Sequence, residues 1–226
     1  MTKQTHSRNE HVTIALGTGH ADGVLARPSG VRAGVVVLQE YWGIVPHIED
    51  VVGRFAQHGF VALAPDLYHG KKALDAEEAS HLMGHLDWAR ATREIAAAVR
   101  HLREQEGCQK VGIVGFCMGG ALTLLGAAAT EVDAYVAFYG FPPNPDLSTV
   151  RAPGLLFFGE HEGYFSVSDA QAFVDRQQAA GVPTELVVFP GAGHAFFNDT
   201  RAAVYNPAAA NDAWRRTLAH FGTHLR

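Results

Sequence analysis

Two periods of apolar residues alternate along this chain. Residues 34–39 (GVVVLQ) are a short, nearly continuous apolar run, the pattern of a strand buried on both faces. Residues 47–59 switch to helical spacing, with Ile48, Val51, Val52 and Phe55 on one face and Gly59 suited to the end. Residues 60–65 (FVALAP) return to a strand that Pro65 closes. Helices are predicted over 75–84 and 87–105, a strand over 110–116 and a small-residue helix over 118–129. Further strands fall at 132–140, 154–159 and 184–190, and further helices at 166–180 and 207–225. Residues 11–16 and 21–27 read as two strands, a hairpin suited to a sheet edge. Strand alternating with helix implies right-handed βαβ units and a mostly parallel sheet, an α/β fold. Such a sheet places its site in the loops at the carboxyl ends of the strands. The expected organisation is a flexible polar tail over residues 1–10 and a single domain over 11–226.

Composition narrows the function. At 226 residues the chain is long enough for one sizeable core. Its net charge of −5, with no clustered Lys/Arg run, makes nucleic acid and anionic membrane poor partners. No apolar run is long enough to span a bilayer. The first residues, MTKQTHSRNE, lack the apolar stretch of a signal peptide, so the expected location is cytoplasmic. Two cysteines, Cys108 and Cys117, make neither a disulfide framework nor a metal spacing, and both are expected as thiols.

Candidate chemistry centres on GFCMGG, residues 115–120. Cys117 lies between a predicted strand and a predicted helix, in a Gly-x-nucleophile-x-Gly turn. Small residues at Gly115 and Gly119 let strand and helix close up. The sulfur would sit at a helix N-terminus, where the dipole favours thiolate. The free backbone N–H of Met118 is a candidate oxyanion donor. A nucleophile needs a base, and His194 in FPGAGHAFFND follows the last predicted strand. The orienting acid is expected in GEHEGYFSVSD after strand 154–159. Glu162 is the first choice, Glu160 the nearer rival, and Asp169 is set aside because it falls inside helix 166–180. Cys108, in the polar stretch EQEGCQK, reads as incidental.

Other constellations are weaker. His81 and His85, and likewise His220 and His224, are four apart on helices, a spacing that could bind metal. Neither pair carries the His-Glu-x-x-His glutamate, so both read as solvated helix faces and no metal is expected. A glutamine amidotransferase would need a glutamate two residues after the histidine, where this chain has Phe196.

Together LQEYWG (38–43), APDLY (64–68), GFCMGG (115–120) and GAGHAFFND (191–199) resemble the dienelactone hydrolase family of α/β-hydrolases. The resemblance runs from about residue 11 to 225 and implies the α/β-hydrolase fold, with helices on both faces of the sheet. It implies a Cys-His-acid triad carried by Cys117, His194 and Glu162, with glutamate where the family usually has aspartate. It also implies that Glu40 contacts the resting cysteine and shares in its activation. By analogy with the family, the Tyr41 N–H is the second oxyanion donor. Aromatic residues at the predicted strand ends, among them Trp42, Tyr68, Tyr164 and Phe196, are candidates for an apolar pocket. Relatives acting on dienelactone grip its carboxylate with two arginines. Here Asn198 falls in the region of one, with Arg201 nearby, and residues 70–85 offer only Lys71 and Lys72 for the other. The expected function is cleavage of a small carboxylic ester or lactone through an acyl-enzyme, without cofactor, by a monomer or small homo-oligomer. The alternatives are a thioesterase and a non-catalytic binding or thiol-sensing protein on the same fold.

Overall fold

The computed structural model describes residues 9–28, 30, 33–143 and 145–226. Most of the tail expected over 1–10 lies outside the described residues, and Glu10 already opens the first strand.

Fourteen elements follow in the order β1 (Glu10–Ala15), β2 (His20–Ala26), β3 (Ala33–Leu38), α1 (Pro46–Gln57), β4 (Val61–Pro65), α2 (Ala76–Gly84), α3 (Trp88–Glu104), β5 (Lys110–Phe116), α4 (Met118–Ala129), β6 (Ala134–Phe138), β7 (Gly154–His161), α5 (Val167–Ala179), β8 (Thr184–Gly193) and α6 (Pro207–His224). The strands form one sheet in the order β1-β2-β4-β3-β5-β6-β7-β8. The β1–β2 and β2–β4 pairs are antiparallel, and all pairs from β4 to β8 are parallel. The hairpin therefore lies at an edge of the sheet, as expected. The mostly parallel sheet is covered on both faces, the α/β-hydrolase fold.

The two faces can be read from the glycines that admit their helices. Gly34 faces Cys108 and Leu102 beside α3, whereas Gly112 faces Phe221 of α6. Their strands are paired so that Gly34 meets Val111 and Val35 meets Gly112, and adjacent positions on a strand point to opposite faces. α1 joins α6 through Phe55, whose ring lies 4.7 Å from Trp214 and 6.0 Å from Phe221. α3 and α4 cover the other face, where a second apolar cluster holds Leu124, Phe141, Phe158 and Phe173 under α5.

Where boundaries depart from the sequence reading, side chains explain it. β6 spans 134–138 rather than 132–140. Asp133 accepts from the N–H of Val111 at 2.9 Å and from Lys110 and Arg103, which holds it out of the strand. At the other end Tyr139 takes a φ of +36°, outside the β region. β7 runs on to His161, with a slip in its pairing to β8 between Gly159 and His161. Cys108 is buried beside Gly34 and not in a solvated loop, and burial pushes its thiol up to about 11. Among the described residues no helix is long and apolar enough to cross a membrane.

Candidate active site

The site starts at the turn from β5 into α4. Cys117 is forced to φ +55°, ψ −117°, a conformation that L-residues seldom hold. Its neighbours leave no alternative. A Cβ on Gly115 would lie 2.1 Å from the Gly119 carbonyl, and one on Gly119 would lie 2.5 Å from the Leu38 and Gln39 carbonyls. Only glycine permits this packing of strand against helix, and the packing fixes where the sulfur stands.

The thiol is buried, and the backbone N–H groups of Met118 and Tyr41 both donate toward it. Burial is the largest influence on Cys117 and raises its pKa, and the nearby Glu40 carboxylate raises it further. Glu40 follows β3 and is itself 1% exposed. Its Oε2 accepts from Asn198 Nδ2 at 2.6 Å and its Oε1 from the Tyr139 hydroxyl at 3.3 Å. Sequence reasoning gave Tyr139 no role of its own and had Asn198 only in the region of an absent arginine. Their convergence on Glu40 has no local signal, because it joins the ends of three different strands.

Across the cavity, His194 follows β8. Its Nδ1 lies 2.9 and 3.0 Å from the two carboxylate oxygens of Glu162, so Nδ1 carries the proton donated to that carboxylate. The Glu162 side chain is 1% exposed. Its Oε1 also accepts from the backbone N–H groups of Tyr164 (2.8 Å) and Phe165 (3.3 Å). Glu160, the rival carboxylate, points away and accepts from the Gly191 N–H at 2.8 Å. Asp169 lies in the first turn of α5, where its N–H is capped by Ser166 Oγ at 3.1 Å. The imidazole is flanked by the rings of Tyr164 (4.7 Å), Tyr139 (5.1 Å) and Phe165 (5.8 Å). The described hydrogen bonds give Cys117 Sγ no bond to His194.

A cavity of about 820 Å³ connects these groups. Glu40, Tyr41, Cys117 and His194 line it, together with Trp42 and Tyr164. Two of the expected wall residues do not. Phe196 is fully buried and packs on Phe138, Tyr139 and Phe189, because the turn at Ala195 (φ +60°) sends it into the core. Tyr68 is buried behind the elbow, where its hydroxyl donates to Met118 Sδ at 3.3 Å. More of the wall comes from Phe165, one of the aromatics at the predicted strand ends, and from Ser80 and Met83 of α2, Trp88 of α3 and Tyr205, which sequence did not single out for this role. Among the described residues Arg201 is the only Lys or Arg on the wall, its guanidinium 4.7 Å above the Trp42 ring.

The histidine pairs do not gather a metal set. Among the described residues no group of three or more His, Cys, Asp or Glu is placed to hold an ion. His220 is not on a solvated face. It is half-buried, with Nε2 3.3 Å from the Pro153 carbonyl.

Comparison with known proteins agrees with this architecture. The family described as "Dienelactone hydrolase family" matches residues 21–225. The chain belongs to the dienelactone hydrolase family. It is a dienelactone hydrolase-like hydrolase. A relative named "Protein usf" from Aquifex pyrophilus is 34% identical over 215 residues, covering 90% of this chain and 93% of that protein. One from Bradyrhizobium sp. named "Probable 2-oxo-3-(5-oxofuran-2-ylidene)propanoate lactonase" is 33% identical over 220 residues, covering 89% and 88%. The crystal structure titled "Putative Dienelactone Hydrolase" from Klebsiella pneumoniae subsp. pneumoniae MGH 78578 matches with a TM-score of 0.83 at 28% identity, covering 95% and 98%.

Proposed function

We propose that this protein hydrolyses a small carboxylic ester or lactone through a Cys117-His194-Glu162 triad and a thioester acyl-enzyme. The observation that carries the reading is the Glu162–His194 pair at 2.9 Å on the same cavity as a strained, amide-capped Cys117. Glu162 fixes the imidazole with Nδ1–H toward itself, which leaves Nε2 free to accept a proton. The thiol turns about χ1 from its nest toward the substrate carbonyl. Its proton passes to His194 Nε2 and the sulfur–carbon bond forms, while the carbonyl electrons move onto oxygen. The N–H groups of Met118 and Tyr41, already aimed at the sulfur, hold that oxyanion. Collapse expels the alcohol oxygen, which takes its proton from His194. His194 then draws a proton from water, and the hydroxide cleaves the thioester and frees Cys117. Glu40 tunes the thiol before the attack. No step needs a cofactor.

The aromatic wall favours an apolar acyl or alcohol group, and Arg201 supplies one cationic point on it. We place the enzyme in the cytoplasm, acting on a small molecule. The test is hydrolysis of p-nitrophenyl acetate, a dienelactone and a thioester. The parent and Cys108→Ala should turn over at least one of the three, and Cys117→Ala none. Equal losses in both cysteine variants would remove Cys117 as nucleophile. Preference for the thioester would make the enzyme a thioesterase.

A further inference from the structure

The cavity that Cys117 and His194 share is larger than those two groups require. Its volume of about 820 Å³ lies within the range, about 300–1,000 Å³, of pockets that enclose a drug-sized molecule. Part of its wall is a helix face. Ala76, Ser80 and Met83 are spaced i, i+4 and i+7 on α2, so they share one side of that helix, and all three line the cavity. Ala79 is fully buried and Leu82 packs on the core, so an adjoining side of α2 rests on the protein. Trp88, which opens α3, continues the wall and itself packs on the core, as do Met83 and Tyr205. Both helices are capped. Asp75 Oδ1 accepts from the Glu78 N–H and Glu78 Oε2 accepts from the Leu74 N–H, each at 2.9 Å, and Asp87 Oδ1 accepts from the Arg90 N–H at 2.9 Å. The wall is therefore preformed.

The polar atoms along this wall are engaged by the protein. Ser80 Oγ donates to the Ala76 carbonyl at 2.8 Å, and Asn206 Oδ1 accepts from the Ala209 N–H at 3.2 Å as the cap of α6. The two lysines ahead of α2 do not reach the cavity. Lys72 pairs with Glu49 at 3.3 Å, and Lys71 lines a separate groove beside His85. The Arg201 guanidinium is stacked over Trp42. The Glu40 carboxylate on the wall already accepts from Asn198 and Tyr139. A carboxylate laid along α2 would lose water and meet no cation there, whereas hydrocarbon would gain by burial.

We propose that the cavity-facing side of α2, together with Trp88, is a subsite for an uncharged alkyl tail, so that the substrate is a neutral ester or lactone carrying a medium-length hydrocarbon chain. The inference deepens the proposed hydrolysis and rests on that reading. From Ala76 to Met83 the helix rises about 10 Å at about 1.5 Å per residue, which gives room for a tail of about eight carbons.

Binding is tested first, without turnover. Trp42 and Trp88, two of the three tryptophans, line the cavity, so tryptophan fluorescence of the Cys117→Ala protein reports occupancy. The probes are 1-butanol, 1-hexanol and 1-octanol, with 8-hydroxyoctanoate as the anionic counterpart. Affinity should rise about fourfold for each added methylene. The anion should bind at least about tenfold more weakly than 1-octanol. Ser80→Asp, at an exposed position of α2, and Met83→Ser should each flatten the rise with chain length. Circular dichroism shows whether each variant is folded. In the parent, kcat/KM should climb in the same way from p-nitrophenyl acetate through the butyrate to the octanoate. The octanoate should also exceed the mono-p-nitrophenyl ester of octanedioate. Affinity independent of chain length, tighter binding of the anion, or a rise that both folded variants leave intact would overturn the proposal. A parent that cleaves none of the esters, while the alcohols bind with the expected rise, would overturn the hydrolytic reading and uphold the subsite.

Discussion

Glu162 gains its place from three donors that converge on one carboxylate, the His194 imidazole and two successive backbone N–H groups. A glutamine there still has an oxygen for the two amides, but its NH₂ cannot accept from the imidazole as well. Glu162→Gln should therefore lower kcat by about 10³- to 10⁴-fold with the fold intact, read on whichever ester the parent cleaves best. Glu160→Gln should stay within about twofold, because that carboxylate accepts from the Gly191 N–H and lies 4.0 Å from His161 Nε2, away from His194. The sequence ranked Glu162 above Glu160 without separating them firmly, because the two sit two apart with the same parity, one near the end of β7 and one just beyond it. The choice falls at the slip between Gly159 and His161, and the ladder slips for reasons that lie in β8. At the proposed nucleophile, Cys117→Ser keeps the geometry but needs more help from the base. Its kcat should fall by orders of magnitude, and a serine variant as fast as the parent would mean that thiol acidity is unused.

At the scale of elements, the elbow is where sequence and structure are most tightly joined. Gly-x-Cys-x-Gly was legible because close packing of β5, α4 and β3 leaves no room for a side chain at positions 115 and 119. Gly115→Ala puts a methyl against backbone at 2.1 Å, and neither strand nor helix can yield without moving Cys117. Denaturant unfolding should show a loss of about 3 kcal/mol or more, together with loss of activity. Gly222, inside α6, has nothing within 4 Å of its absent Cβ. Gly222→Ala should instead stabilise the protein by about 0.5–1 kcal/mol through helix propensity, without touching the site. Helices and central strands were legible from their periods. Their ends were less so, because Asp133 and Tyr139 terminate β6 through partners on β5 and β7.

For the whole molecule, stability and site share some of the same groups. Asp199, next to Asn198, pairs with Arg54 of α1 and lies 3.3 Å from His47 Nδ1, which ties the loop after His194 to α1. The Arg54 guanidinium helps hold the Asp199 carboxyl below its usual range against the opposing effect of burial. His220 gives the molecule a pH dependence of its own. Burial, and then the neighbouring His224, lower its pKa from 6.5 to about 4. The unfolded chain therefore binds a proton there before the folded one does. Its contribution is complete above pH 6.5 and is lost as pH falls toward about 4. Melting temperatures of the parent should decline over that window, and His220→Gln should flatten the decline. What the sequence alone determined was the α/β alternation, the edge hairpin, the elbow and the histidine after the last long strand. Each rests on a local period or on a glycine that a short turn requires. Tertiary structure decided which glutamate meets His194, that Asn198 and Tyr139 hold Glu40, and that Phe196 and Tyr68 sit behind the wall and not on it. Those residues are far apart in sequence, and the β3-β5-β6-β7-β8 order brings them together. Strand order arises from long-range burial, which no local pattern of residues encodes.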